Sequence, residues 1–191
     1  AERDSQSILL EPRDRLRYGH QLWIDTSSGL LLKASLIDDR GKAIETFAFT
    51  QLQIGGAIDR EALKSKFADR STQWQVHNVV TSEAPTDSAG STDSANWTLK
   101  APLPGFRKVA GMNRLSRSDR PESTHMVFSD GLAAVSVFIE ALPAKAEPGL
   151  NSLGAISIYQ RILGDRLIVV MGEVPPATVK MLGDSIEIRR K

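Results

Sequence analysis

The stretch from His125 to Ile186 constrains the fold more than any other part of the chain, because its apolar residues come in short alternating runs broken at turn sequences. His125-Met-Val-Phe-Ser129 meets Asp130-Gly131, a strong hairpin signal, and Leu132-Ala-Ala-Val-Ser-Val-Phe-Ile-Glu140 leaves on the other side. Ala155-Ile-Ser-Ile-Tyr-Gln-Arg-Ile162 then alternates with period two, Gly164-Asp165 turns it, and Arg166-Leu-Ile-Val-Val-Met-Gly-Glu173 returns as a nearly continuous buried strand. Pro175-Pro176 opens a helix, since proline suits the first turn where its missing N–H had no partner. Pro175, Val179, Leu182 and Ile186 recur at the spacing of one helical face. The expected product is a small antiparallel sheet with a helix on it, and Phe138 and Val169 are expected in its core.

The chain before this stretch reads as a second, less complete unit. Ile8-Leu-Leu-Glu11 is the end of a strand. Tyr18–Asp25, Leu30–Asp38 and Ile44–Ile54 are three more, joined by the turn sequences Thr26-Ser-Ser-Gly29 and Asp39-Arg-Gly41. Phe47 and Phe49 share one face of the last strand and Ile44, Leu52 and Ile54 the other, so both faces need cover. A sheet this small that is apolar on both sides is not a complete domain. Gly55-Gly56 ends the strand, Asp59–Phe67 reads as a short helix with Asp59 as its cap, and Trp74–Val80 as one further short strand. From Thr81 to Asn96 the composition changes to mostly Ser, Thr, Asp, Ala, Gly and Pro with almost nothing to bury, which marks an interdomain linker. Beyond it, Trp97-Thr-Leu-Lys100 and Phe106–Met112 flank a tight bend at Leu103-Pro-Gly105. The chain opens on Ala1-Glu2-Arg3-Asp4 without an initiator Met and is expected to be a mature or truncated piece.

Little in the sequence points to chemistry. A net charge of +1 over 191 residues argues against a nucleic-acid binder, and no apolar run approaches the ~18 residues that span a bilayer. The absence of cysteine removes disulfides, thiol catalysis and thiolate metal sites together. His125 and Ser129 lie four residues apart on a strand, about 13 Å, too far for direct proton transfer. His20, His77 and His125 are scattered without metal-ligand spacing, and Asp25, Asp38 and Asp39 sit beside turns, where Asp bonds the backbone. No catalytic residue, cofactor or metal is expected. One electrostatic feature stands out: between Phe106 and Arg120 the residues Arg107, Lys108, Arg114, Arg117 and Arg120 face a single acid, Asp119. Read blandly this is a solvated loop. Arginine's forked donors also suit carboxylates or phosphates, so Arg107, Arg114, Arg117 and Arg120 are candidate partner contacts. Trp23, Trp74 and Trp97 are ordinarily packing residues.

Five motifs, in order, carry a resemblance: Leu16-Arg-Tyr-Gly-His-Gln-Leu-Trp-Ile-Asp25, Ser28-Gly-Leu-Leu31, Leu103-Pro-Gly-Phe106, Phe128-Ser-Asp-Gly-Leu132 and Gly172-Glu-Val-Pro-Pro-Ala-Thr178. By their order and spacing the chain resembles the RseB/MucB family of periplasmic regulators of the envelope-stress sigma factor. The resemblance implies an α+β, mostly antiparallel fold: the C-terminal part of an unclosed β-barrel like those of the carriers LolA and LolB at residues 1–80, a linker at 81–96, and a small β-sheet domain with a C-terminal helix at 97–191. It implies that the chain begins midway through the large domain. It also implies a periplasmic, non-enzymatic protein that binds the periplasmic segment of a membrane anti-sigma factor of the RseA or MucA kind. Such a protein shields that segment from regulated proteolysis and releases it when lipopolysaccharide or another lipid is sensed. Trp23, Phe47 and Phe49 fall in the part that resembles the cavity-forming sheet and are the candidate remnant of a lipid site. Open strand edges make a homo-oligomer the expected remedy for the first unit. The rival function is a lipid or lipoprotein carrier of the LolA type.

Overall fold

The computed structural model describes residues 3–65, 97–114 and 123–188. The expected strand Trp74–Val80, the linker at 81–96, His77, Arg117 and Arg120 lie outside the described residues.

The first unit is a four-stranded antiparallel meander, β1 (Ser5–Leu10), β2 (Gly19–Asp25), β3 (Leu31–Ile37) and β4 (Ala43–Ala48), in that spatial order. Asp25 closes the β2–β3 turn: its carboxylate accepts from the Ser28 amide at 2.8 Å and from the Ser27 and Ser28 hydroxyls at 2.6 Å each. Asp38 does the same after β3, accepting from the amides of Arg40 at 2.9 Å and Lys42 at 2.8 Å. Both acids are satisfied by turn groups, as their position in the sequence suggests.

Two expectations fall short here. The third predicted strand was to run to Ile54, but β4 stops at Ala48, paired with Lys33. Leu32 is taken up by a bulge against β2 between Trp23 and Ile24, so β4 has run out of partner; Phe49 still donates to the Leu32 carbonyl at 3.1 Å and the ladder ends. The predicted helix from Asp59 is a single 3-10 turn, Arg60–Leu63, capped by Asp59 accepting from the Glu61 amide at 3.0 Å. Lys64 returns to extended backbone, with φ −70° and ψ 137°.

The second unit is a six-stranded antiparallel sheet: β6 (Arg107–Arg114), β7 (Ser123–Ser129), β8 (Ala134–Ala141), β9 (Gly149–Leu153), β10 (Ile156–Leu163) and β11 (Arg166–Gly172), in the order β6-β7-β8-β11-β10-β9. The Gly164-Asp165 turn is the expected two-residue hairpin loop, with Leu163 paired to Arg166. The Asp130-Gly131 hairpin is longer than a two-residue turn, because Ser129 pairs with Ala134 and four residues span the gap. That loop is held by Asp130, which accepts from the amides of Leu132 at 2.9 Å and Ala133 at 2.8 Å.

Helix α1 (Pro176–Ser185) packs on one face of this sheet. Val179, Leu182 and Ile186 of the predicted helical stripe are buried against Val137, Ile139, Ile168 and Val170. Phe138 and Val169, expected in the core, pair with each other on the opposite face and are only partly buried. Both faces of β11 are apolar, but in β8 Phe138 lies between Ser136 and Glu140 on the polar side of the alternation, and the buried face is Val135, Val137 and Ile139. After Ser185 the chain does not continue as helix: Ile186–Ile188 forms β12, which pairs antiparallel with β5 (Trp97–Leu99). Arg161 stabilises the transition, donating to the Ile186 carbonyl at 2.8 Å and the Asp184 carbonyl at 3.3 Å, carbonyls a helix end leaves without partners.

Candidate binding sites and the junction between the sheets

The three aromatic residues singled out in the first unit come together. Trp23 and Phe49 line a shallow cavity of about 200 Å³ with Arg3, Ser5, Leu32, Lys33 and Ala48. Phe47 stacks edge-on against Phe49, with ring centroids 5.3 Å apart and planes at 78°. Phe47 remains 58% exposed. Two cations border the cavity, and sequence reasoning had passed over both. Lys33 Nζ lies 4.1 Å from the Trp23 ring centroid, a cation–π contact that cross-strand pairing of Trp23 with Lys33 brings about. Arg3 is committed to the Asp25 carboxylate, donating from Nε at 2.8 Å. That bond, followed by those from Ser27 and Ser28, holds the Asp25 carboxyl far below the usual carboxylate range. At this volume the cavity is smaller than the ~300–1,000 Å³ of a typical small-molecule site, enough for part of an acyl chain or one side chain.

The described part of the basic segment, Arg107–Arg114, is a strand and not the loop its composition suggested. Arg107 and Arg114 open and close the edge strand β6, so they stand roughly 20 Å apart at ~3.3 Å per residue rather than in one cluster. Arg107 is exposed, and Lys108 lies over the Trp97 ring at 5.7 Å from its centroid. Val109 is bulged out of the β6–β7 pairing, and bulges and charges are what proteins place on edges to discourage pairing. The opposite edge, β9, carries no charge and no bulge. Its sequence Gly149-Leu-Asn-Ser-Leu153 lacks alternation, and sequence reasoning missed it.

His125, Ser129 and Asp130 form no catalytic group. The His125 ring stacks on Phe138 with centroids 4.2 Å apart, its Nε2 lies 3.2 Å from Ser136 Oγ, and burial pushes its pKa below the ordinary imidazole value. The Ser129 hydroxyl is engaged in its own turn, donating to the Ala133 carbonyl at 2.8 Å. Among the described residues no three His, Cys, Asp or Glu side chains are placed to hold a metal ion.

The arrangement sequence reasoning missed altogether lies between the two units. Leu16, in the segment joining β1 to β2, is 9% exposed and belongs to the same buried cluster as Phe106, Val137 and Val179. Its carbonyl accepts a hydrogen bond from Thr178 Oγ1 of α1 at 2.9 Å. Arg17 donates from Nε to Asp130, from Nη1 to Asp14 and from Nη2 to the Pro104 carbonyl at 2.9 Å, with its guanidinium 4.6 Å from the Phe106 ring centroid. Burial opposes ionisation of Asp130, but the amides of Ala133 and Leu132 and the Arg17 guanidinium together outweigh it and lower its pKa. Beside this contact lies a cavity of about 90 Å³, lined from the first unit by Leu10, Pro12, Tyr18 and His20 and from the second by Leu132 and Ala133.

Comparison with known proteins accounts for both units. Family models for the MucB/RseB N-terminal domain and the MucB/RseB C-terminal domain match residues 1–67 and 91–187. The sigma factor AlgU regulatory protein MucB of Pseudomonas aeruginosa is 31% identical over 191 residues, an alignment covering 97% of this chain and 57% of that protein. The sigma-E factor regulatory protein RseB of Escherichia coli K12 is 25% identical over 189 residues, covering 98% and 56%. The chain therefore spans a little over half the length of these curated relatives. Among solved structures, MucB in complex with MucA(peri) superposes with a TM-score of 0.74 at 28% identity, covering 99% of this chain and 64% of that one. A structure described as MucB, with no partner named, superposes with a TM-score of 0.61 at 27% identity, covering 98% and 58%.

Proposed function

The chain belongs to the MucB/RseB family, and from that premise we propose that it binds the periplasmic region of a membrane anti-sigma factor, shields it from regulated proteolysis and so restrains the envelope-stress sigma factor. The observation that carries this reading is that 99% of the chain superposes on MucB solved with MucA(peri). The reading places the protein in the periplasm, where that region of the anti-sigma factor is exposed, and asks no catalysis of it. The division into a cavity-bearing unit at 1–80, a linker at 81–96 and a small domain at 97–191 belongs to the same proposal. The pairing of β5 with β12, which joins the first and last strands of the small domain, supports it.

The small domain carries the anti-sigma contact, and Arg107, Arg114, Arg117 and Arg120 assist it by attracting acidic groups. Exposed ion pairs are worth only ~0–1 kcal/mol each, so these residues act on association rate more than on final affinity. Replacing Arg107 and Arg114 with Ser should slow association with the periplasmic region of a MucA-like protein at low salt and leave it unchanged at high salt, where charges beyond a Debye length of ~8 Å are screened. Failure of the intact chain to bind that region, or to delay its digestion by a protease, would overturn the reading.

Release on sensing lipopolysaccharide or another lipid completes the proposal. The cavity at Trp23 and Phe49 supports it, with an apolar lining for part of an acyl chain and Lys33 beside it for a phosphate. The same cavity favours the second reading, a lipid carrier of the LolA type. Native mass spectrometry after organic extraction separates them: stoichiometric co-purified lipid without anti-sigma binding indicates the carrier. Self-association through the open edges of β1 and β4 is expected in sedimentation at high concentration.

A further inference from the structure

We propose that the Leu16–Arg17 turn is a latch that fixes the angle between the two sheets, and that Arg17 is a positioning residue for recognition of the anti-sigma segment. Among the described residues the two sheets share no hydrogen-bonded ladder. Among the described residues, Leu16 is the one member of the buried core cluster that comes from before Trp97.

The turn grips the second unit at three separate elements. The Leu16 side chain enters the core, and its carbonyl takes the buried hydroxyl of Thr178 on α1. Arg17 holds the hairpin loop after β7 through Asp130, and the bend before β6 through the Pro104 carbonyl and the face of Phe106. Three anchors on three separate elements restrict an orientation, whereas one anchor would leave a pivot. The second unit is shaped to receive the guanidinium. Gly105 has φ +76° between Pro104 and Phe106, and a Cβ at that position would collide with Arg17 Nη2. The bend therefore needs glycine twice, once for its backbone and once for the latch.

A latch matters if the joint has more than one arrangement. At nearly equal identity, the MucB structure that contains MucA(peri) superposes on this chain with a TM-score of 0.74 and a MucB structure with no partner named with 0.61, a difference in overall likeness between the two. The chain as latched lies nearer the one that contains MucA(peri). On this proposal the segment held by the small domain also meets the first sheet, so it binds only chains whose sheets stand at the right angle, and its apparent affinity falls in proportion to the fraction that do.

The role in recognition rests on the function proposed above; the joint itself does not, and the test keeps them apart. Residual dipolar couplings of the full chain should fit one alignment tensor in the native protein and two in the Arg17→Ala, Thr178→Val double variant, with the couplings inside each sheet unchanged. Association with the periplasmic region of a MucA-like protein should weaken about tenfold if one variant molecule in ten holds the latched angle. Arg17→Lys keeps a cation for Asp130 but not the fork, and should fall between the two on both measures. A single tensor in the double variant overturns the latch. Two tensors with unweakened binding overturn the positioning role. A native chain with one tensor and no binding at all leaves the latch standing and removes the proposed function instead.

Discussion

The two sheets are built from similar proportions of apolar residues and hold together by different means. In the six-stranded sheet Val135, Val137, Ile139, Ile168 and Val170 lie against Val179, Leu182 and Ile186, all of them buried. In the four-stranded sheet the buried residues are Gly19, Asp25 and Ser35, while Leu9, Phe47 and Phe49 face solvent. What order the first sheet has comes from backbone ladders, the capped turns at Asp25 and Asp38, and polar cross-strand pairs such as Ser35 with Thr46 at 2.8 Å. Hydrogen bonds exchange with water at little net gain, about 0.5–1.5 kcal/mol each, so a sheet without a core is a weak one. Among the described residues its one buried apolar side chain, Leu16, is lent to the other sheet's core.

The contrast can be broken most forcefully from the packed side. Leu182→Ala should lower stability by about 2–5 kcal/mol, whereas Phe47→Ala should stay within roughly 0.5 kcal/mol; chemical denaturation followed by circular dichroism measures both. Equal effects would mean the first sheet has a core after all. Next comes Leu16→Ala, expected to cost about 2–3 kcal/mol and to be read out in the second sheet, through amide exchange of α1 and β11, although the substitution lies far upstream in sequence. A fragment of residues 97–191 should show the same deficit.

Gly183→Ala sharpens the packing side further. A Cβ there would sit 2.6 Å from Tyr159 Cδ1, so the helix must lift from β10 at a cost of about 1–3 kcal/mol. The smallest effect concerns pH and belongs to the first sheet. Asp25 has a folded pKa well below its unfolded value, so its contribution is complete above about pH 4 and is lost as the pH falls through the folded pKa. Amide exchange at Ser28 and Gly29 should accelerate as the pH is lowered below 4, after correction for intrinsic exchange, and Asp25→Asn should abolish that dependence.

What the sequence disclosed follows from the range of the interactions involved. The β10–β11 hairpin and the helical stripe were legible because turn residues and periodicity act between neighbours. The core face of β8 was legible too, in Val135, Val137 and Ile139 alternating with Ser136 and Glu140, and Phe138 was expected in the core on its apolarity alone, against that alternation. Trp23, Phe47 and Phe49 were singled out by the family resemblance and not by any local pattern, and the meander brings Trp23 and Phe49 to one cavity with Phe47 beside it. Arg17 stands in a motif that carries the family resemblance, yet its partners at Pro104 and Asp130 are distant in sequence, and no local pattern connects them. The basic segment showed its charge and hid its strand, because Gly111 and Asn113 interrupt any alternation.

The pairing of β5 with β12 has a mechanical consequence. Ile186 opposes Leu99 and Ile188 opposes Trp97, so the chain enters and leaves the second unit at the same end of a two-stranded ribbon. Tension between the segments on either side would peel these pairs one after another, like a zip, instead of loading them together in shear. A fragment of residues 97–191 pulled by its ends in an optical trap should give up this ribbon first, at low force, while the six-stranded sheet stays closed behind it.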